Sequence, residues 1–528
     1  MTEPHGTQMK IALLTSPYPL AEGPSPPLGL CYAAAAFEAA GADVRIFDYM
    51  VRAWSPEKMA AELSGFGPDV IGTNSVTLNF NAAANLLKTA KQLFPETVTI
   101  MGGPHVSFDY ENTLRRFPQI DLIVVGEGEQ TIAELVPVIK DRKAWAAVAG
   151  IAFMENGAVR FTGSRELIHD LDRLPLPARH LLPMSRYLAM GFPISIITSR
   201  GCPGKCIFCQ GRRMVGSRVR NRDARRVMDE IESLLAFGFD RINFADDFFT
   251  SNARRVREVC AEIERRSLNF CWTVFARADS VTPDMLAMMR HAGCDTIFFG
   301  FESGNQEMLD RIGKTITLDR IRRAVADSKA AGMRVFGSFI AGLPGETAQT
   351  LADSDRFARE LDVDYGYHFL VPFPGTDVKE RIADFDLELL ADNWDDFDAN
   401  RSIVRTSALS PQDIEQFVEE YYSKAVRKDE ERIERDFYKG TLSEAEQLRY
   451  MGKQNMEIVF DLLTKDLVEK APAFAPGNGT PPVKALARHL AGVLNKPLDF
   501  VQLSVTQLSD RGYLRCEENA GHAVWRWR

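Results

Sequence analysis

No run of 18 or more apolar residues occurs in this 528-residue chain, so no transmembrane helix is expected. The first ten residues, MTEPHGTQMK, lack the apolar core of a signal peptide, so export is not expected. An excess of cations is also missing. The net charge of −9 argues against a general nucleic-acid binder. Cysteines are few and mostly scattered. Cys31, Cys260, Cys271, Cys294 and Cys516 share no metal-ligand spacing and read as ordinary thiols of a reducing cytoplasm. The remaining composition, 45% hydrophobic and 26% charged, is that of a globular protein. The length suits roughly two to four domains.

The exception to the scatter is Cys202-x3-Cys206-x2-Cys209. The run Phe192 to Thr198 (FPISIIT) precedes it and reads as a buried parallel strand. The thiols therefore sit on the loop leaving a strand's C-terminal end, where α/β folds place their chemistry. A tetrahedral zinc site would need a fourth ligand. Three thiolates on one short loop can instead hold three irons of a 4Fe-4S cluster and leave the fourth open. Free core thiols are the bland alternative, but such thiols have no reason to bunch around Pro203 and Gly204 on a polar loop.

Residues 1–140 alternate short apolar strands with helices: KIALLT at Lys10, then strands at 44–48, 69–73, 98–103 and 122–126. That alternation predicts a doubly wound, Rossmann-like parallel sheet. Such sheets bind ligands beyond the carboxyl ends of their strands. The residues expected there are Ser16, Asn74, Ser75, Gly102, Gly103, His105, Gly126 and Glu127. Glycines would let the backbone approach a large flat ligand. The alternative is a Gly-rich fold without a ligand. His105 is either a pocket-lining residue or a loop hydrogen-bonder. Residues 141–191 read as a linker carrying a hairpin around Asn156-Gly157, followed by a Pro-rich stretch at 170–183.

From 192 to 375 six strand–helix repeats predict an open, TIM-like (βα)6 partial barrel. Polar residues gather at its strand exits: Asp246 and Asp247, Arg277, Glu302, Ser303 and Gly304, then Gly342 and Glu346. A carboxylate there can accept from an amine or a ribose hydroxyl, and Arg277 can pair with a carboxylate. Seven arginines lie between Arg212 and Arg226, best read as a solvated loop with a few ion pairs. His368, on the last strand, reads as a packed barrel residue. Residues 376–470 read as a helical cap over the barrel mouth. Residues 471–528 begin with a Pro/Gly linker and continue helix, helix and a final strand, a winged-helix-like module suited to capping or interaction, or to DNA.

Cys202-x3-Cys206-x-Phe208-Cys209 resembles the hallmark of the radical S-adenosylmethionine (SAM) superfamily. Pro26-Pro27-Leu28-Gly29-Leu30, Gly102-Gly103-Pro104-His105 and Gly126-Glu127-Gly128-Glu129 resemble the cobalamin-binding domain found ahead of such cores. The resemblance covers roughly residues 10–425. It implies a 4Fe-4S cluster on Cys202, Cys206 and Cys209, with SAM on the open iron. It places Phe208, Asp246, Asp247, Arg277, Glu302, Ser303, Gly304, Gly342 and Glu346 near SAM. It implies cobalamin at the first domain, although none of the eight histidines sits in an Asp-x-His-x-x-Gly loop. The implied partners are a small-molecule substrate and an electron donor such as flavodoxin or ferredoxin. The implied activity is SAM cleavage to a 5'-deoxyadenosyl radical and methylation of an unactivated carbon. The alternatives are radical oxidation or cyclisation, as in the anaerobic magnesium-protoporphyrin ester cyclase, or an iron–sulfur sensing regulator whose C-terminal module binds DNA.

Overall fold

The computed structural model describes residues 8–20, 23–474, 481–519 and 522–528. Strands β1 (Lys10–Thr15), β2 (Asp43–Asp48), β3 (Val70–Asn74), β4 (Val98–Gly102) and β5 (Leu122–Val124) run parallel. Helices α1 (Leu28–Ala39), α2 (Pro56–Phe66), α3 (Phe80–Leu93), α4 (Pro104–Arg116) and α5 (Glu129–Leu135) alternate with them. Helices cover both faces of the sheet, so Ile11, Ala12, Leu13 and Leu14 are all buried and β1 reads as an unbroken apolar run. The strand order begins β2-β1-β3, so the winding reverses between β1 and β3. A ligand crevice belongs at that point, outside the strand C-termini.

The hairpin β6 (Ile151–Glu155) and β7 (Ala158–Phe161) turns at Asn156-Gly157, both with positive φ (50° and 81°). It was expected inside a linker. The structure pairs β6 antiparallel with β5 and makes β7 the sheet edge. A three-residue β5 would otherwise leave its own ladder groups unpaired.

Helix α6 (Met184–Met190) leads into β8 (Ile194–Ile196), the first barrel strand. A two-residue ladder follows, β9 (Ser199–Arg200), closed across α7 (Gly211–Val215) by β10 (Arg220–Asn221). Then come α8 (Ala224–Phe237), β11 (Arg241–Phe244), α9 (Ala253–Arg265), β12 (Cys271–Ala276), α10 (Pro283–His291) and β13 (Cys294–Glu302). Helices α11 (Gln306–Arg311) and α12 (Leu318–Ala330), β14 (Arg334–Ala341), α13 (Ala348–Leu361) and β15 (Asp364–Phe369) complete the unit. The six strands pair in parallel in the order β15-β14-β13-β12-β11-β8, and the two edge strands do not meet. The barrel is open, as the repeats predict. On β13, Ile297, Phe299 and Phe301 are buried under the helices, while Phe298 on the other face is only half-buried. His368 is exposed rather than packed.

Helix α14 (Asp377–Glu380) and the small pair β16 (Glu388–Leu389) and β17 (Val404–Arg405) lead to α15 (Pro411–Tyr421). Helix α15 meets the barrel at the exit of β14, where Ile414 lies 3.6 Å from the Cβ position of Gly342, and runs along β15: Tyr367 packs edge-on against Phe417 and Tyr421, and the Tyr422 hydroxyl donates to the Tyr367 carbonyl at 3.2 Å. A π-helical turn, Tyr422–Arg427, continues into α16 (Lys428–Lys439) and α17 (Glu444–Thr464).

The last elements are α18 (Pro482–Leu494), α19 (Leu498–Asp510), β18 (Leu514–Asn519) and β19 (His522–Trp527). The expected linker lies partly outside the described residues. Phe474, however, bridges to Ala523, and α17 packs on α19. Helix α17 thus packs together with this last group of elements. The module is pinned to the rest of the chain. Arg186 donates to Glu469 at 2.6 Å and lies 5.4 Å over the Trp527 ring. The Ala53 N–H donates to Asp466 at 3.1 Å.

Candidate active site

Strand β8 ends at Ile196, and the loop beyond it is tied down before it reaches the thiols. The buried Asp246 carboxylate accepts the Thr198 N–H and hydroxyl, each at 2.5 Å, and the Ser199 hydroxyl at 2.7 Å. Asp247 accepts the Gly201 N–H at 3.0 Å. Gly201 has φ 112°, and a Cβ there would lie 2.3 Å from the Arg218 carbonyl. Only glycine fits. The Cys202 N–H donates to Gly216 at 3.1 Å and the Ile207 N–H to Ile312 at 3.1 Å.

Gly204 sits among the thiols. A Cβ on it would stand 3.3 Å from the Cys202 sulfur and 4.0 Å from that of Cys206. The Gly211 N–H donates to the Cys209 sulfur at 3.4 Å. Burial raises the Cys206 and Cys209 thiols, and at Cys206 the Lys314 and Arg277 cations oppose it. Cys202, Cys206 and Cys209 form no disulfide. Among the described residues no trio of His, Cys, Asp or Glu side chains is already closed around a metal-sized point. Three soft ligands on one loop fit a 4Fe-4S cluster with one open iron better than a four-ligand zinc site.

Arg277 follows β12. It grips Asp279 through Nε at 3.0 Å and Nη2 at 2.8 Å, and its Nη1 lies 3.7 Å from the Cβ position of Gly204. Glu302, at the end of β13, adopts φ 65° and pairs with Lys314 at 2.5 Å. A non-glycine residue in this region is strained, and such strain clusters at functional sites. The structure thus gathers Cys202, Cys206, Cys209, Asp247, Arg277 and Glu302, and adds Lys314. Sequence reading missed Lys314 because it lies past α11, away from any strand exit.

The other expected SAM contacts are built into the scaffold. Asp246 is wholly engaged beneath the loop. Ser303 and Gly304 turn toward α13: the Gly304 N–H donates to the Ser354 hydroxyl at 2.9 Å. Glu346 is fully buried and folds back on its own turn, accepting from the N–H groups of Gly342 at 2.5 Å and Leu343 at 3.1 Å. Burial pushes it up to about 8. Phe208 is half-buried against the barrel core.

A cavity of about 370 Å³ lies between the first sheet and the barrel segments that flank the thiol loop. One wall holds Gly72, Asn74, Gly102, Gly103, Gly126 and Glu127, and the other holds Ile197, Arg200, Val215 and Asp247. Most of the remaining lining is apolar, including Leu13, Leu30, Phe37, Ile100 and Met214. A Cβ on Gly126 (φ 78°) would meet nothing within 4 Å, so the space before that turn is open. One on Gly103 (φ 103°) would strike the Ser75 backbone at 2.4 Å. An apolar crevice floored by glycines suits a flat macrocycle.

Three expected contacts are absent from that lining. Ser16 accepts from Asn79 at 3.0 Å. Ser75 is buried behind Gly103, its N–H donating to the Gly102 carbonyl at 3.0 Å. His105 is buried between Phe80 (4.1 Å) and Trp394 (4.7 Å), with Nδ1 3.1 Å from the Thr77 hydroxyl. It is the loop hydrogen-bonder of the two readings.

Three of the seven arginines in the run form ion pairs among the described residues. Arg220 binds Glu127 at 2.8 Å, Arg222 binds Glu230, and Arg213 binds Asp377 at 2.6 Å. Arg220 and Arg222 are buried, which a solvated loop did not foretell.

An open six-stranded parallel barrel with three thiols at its first strand exit, facing a Rossmann-like crevice, defines a radical enzyme with a second cofactor domain. The comparisons agree. Residues 20–136 match the B12 binding domain and residues 196–358 the Radical SAM superfamily. The chain is 35% identical to an uncharacterized methyltransferase of Pyrococcus horikoshii, over 76% of this chain and 86% of that one. It is 32% identical to the anaerobic magnesium-protoporphyrin IX monomethyl ester cyclase of Rubrivivax gelatinosus, over 69% and 68%. The structure of OxsB, a cobalamin-dependent S-adenosylmethionine radical enzyme, superposes with a TM-score of 0.67 at 17% identity, over 96% of this chain and 80% of that one. The chain belongs to the radical SAM enzymes that carry a B12-binding domain. Among the described residues no helix is long and apolar enough to cross a membrane.

Proposed function

We propose that this enzyme methylates an unactivated carbon of a small-molecule substrate. The observation that carries the reading is the shared cavity: the glycine turns of the first sheet and the segments that flank the thiol loop on either side, Ile197 and Arg200 before it and Met214 and Val215 after it, line one largely apolar space. When bound, the cluster with SAM supplies a 5'-deoxyadenosyl radical and the corrinoid a transferable methyl group.

The chain's own residues position and exclude. Cys202, Cys206 and Cys209 hold the cluster. Arg277, whose Nη1 lies 3.7 Å from the Cβ position of Gly204 on the thiol loop, is suited to the SAM carboxylate. Gly102, Gly103 and Gly126 admit the corrinoid, and the apolar lining keeps water out. Electrons come from a small reductant such as flavodoxin or ferredoxin. The reducing cytoplasm suits both the thiols and the cluster.

The second reading, radical oxidation or cyclisation, is favoured by the 32% identity to the Rubrivivax cyclase. Anaerobic purification from corrinoid-fed cells, with iron, sulfide and corrinoid quantified, tests the first reading. About four irons with about one corrinoid support it. Four irons without corrinoid move the choice to the second, and no iron after reconstitution overturns both. Product mass then separates them: gain of one methylene unit against loss of hydrogen or gain of oxygen.

A further inference from the structure

Glu127 lines the cavity, but its carboxylate is committed to the barrel. Oε1 accepts from Arg200 at 3.1 Å and from Arg220 at 2.8 Å. Oε2 accepts from Arg220 at 2.9 Å and from the Ile168 N–H at 2.9 Å. Glu129, two residues on, takes the other Arg200 nitrogen at 2.5 Å. Arg220 also donates to the carbonyls of Ile168 at 2.6 Å and Val215 at 2.7 Å. All four charged side chains are nearly buried: Glu127 is 5% exposed and Arg200, the most open, 11%. Burial would raise Glu127, yet Arg220, the Ile168 N–H and Arg200 hold it below the usual carboxylate range.

The placement matters more than the stability. Arg200 and Arg220 face each other in the two-residue β9/β10 ladder. Arg200 lies two residues before Cys202, and Glu127 lies next to Gly126 on the turn that opens the crevice. A two-residue ladder is too short to fix a loop alone. Two carboxylates and two guanidiniums form a charge-balanced buried set, and forked Arg–carboxylate pairs have strict geometry. An apolar contact could hold two domains together, but without this directional register.

We infer that Glu127 is a positioning residue: through Arg200 and Arg220 it sets the distance between the corrinoid crevice and the cluster loop. The inference rests on the cobalamin reading above. It requires no contact between Glu127 and substrate.

The test needs no substrate. In the doubly loaded enzyme, cob(II)alamin and the reduced cluster each carry unpaired spin. Their dipolar coupling, read by pulsed electron paramagnetic resonance, gives a distance distribution. The wild type should show one narrow distance. Glu127→Gln should broaden or split it while iron content, corrinoid content and each centre's own spectrum stay as in the wild type. An unchanged distribution in Glu127→Gln overturns the inference. If that variant does not fold, Arg200→Lys, which keeps the charge and loses the fork, is read by the same criterion. If both variants lose a cofactor, the network is structural glue and the positioning role falls. A wild type that binds no corrinoid overturns the cobalamin reading itself, a different result from an unchanged distance.

Discussion

The Lys314 ammonium and the Glu302 carboxylate meet at 2.5 Å, with side chains only 7% and 10% exposed, beside Cys206. Each neutralises the other where water cannot. Breaking a buried pair from one side leaves an uncompensated charge and costs about 3–5 kcal/mol. Lys314→Met should therefore destabilise the apoenzyme by about that amount. The double variant Lys314→Met/Glu302→Gln should recover much of the loss. Anaerobic denaturant titration of the three proteins checks this. A single variant as stable as the wild type would show that the pair is screened by water.

The three thiols are not interchangeable with core cysteines. Cys202→Ala, Cys206→Ala and Cys209→Ala should each fall well below the wild-type iron content and lose SAM cleavage. Cys260→Ala should keep both, because Cys260 is buried within α9. Iron assay and 5'-deoxyadenosine release measure the difference. Cleavage surviving in any loop variant would remove that cysteine from the ligand set.

Glu346 gives a dependence on pH whose sign follows from its burial. Its carboxyl is raised from the usual 4.5 to about 8. Between those values the folded chain keeps a proton that the unfolded chain releases. The unfolded state binds fewer protons there, so this group lowers stability as pH rises through the window, and adds no slope above about 8. Glu346→Gln should flatten that part of the curve. Denaturation midpoints at several pH values across the window test it. Parallel curves for the two proteins would mean that Glu346 ionises freely in the folded state.

The fold was largely legible because its signals are local. β1 and β8 are apolar runs of parallel-sheet type, and Asn156-Gly157 marks a tight hairpin. The partner of that hairpin was not legible, since pairing with β5 is a contact across 27 residues of chain (Val124 to Ile151). The thiol loop was legible from spacing. Motif position alone could not say which way a side chain turns. Asp246 and Asp247 are neighbours, yet one braces the loop from below and the other faces the cavity. Lys314 and the Glu127–Arg220 pair were illegible for the same reason: each joins distant segments through one ion pair, which leaves no periodic trace.

His105 follows the glycines at the end of β4, beside the crevice, but its ring is turned away from it. Burial pushes it down to about 3, so it is neutral at working pH. It is sandwiched by Phe80 and Trp394 and does not line the cavity. The cob(II)alamin spectrum of the loaded enzyme should therefore show no superhyperfine splitting from an imidazole nitrogen. His105→Phe, which keeps the aromatic packing, should hold as much corrinoid as the wild type. A nitrogen-split spectrum lost in that variant would make His105 the ligand.

In the winged-helix-like module expected from the sequence, α19 is the candidate recognition helix, and its chemistry is wrong for phosphate. Leu498–Asp510 contains Asp499 and Asp510 and no lysine, arginine or histidine. Phosphate contacts supply most of the affinity for duplex DNA and come chiefly from Lys and Arg. The module is instead held against the chain by Arg186, which reaches both Glu469 and the Trp527 ring. The full chain should show no retardation of duplex DNA at low salt, where non-specific binding is strongest. Arg186→Ala should lower the thermal midpoint, because it loses a largely buried ion pair and a stacked ring at once. Salt-dependent retardation by the wild type would revive a DNA-binding role. An unchanged midpoint in Arg186→Ala would show that the contacts of α17 alone hold the module in place.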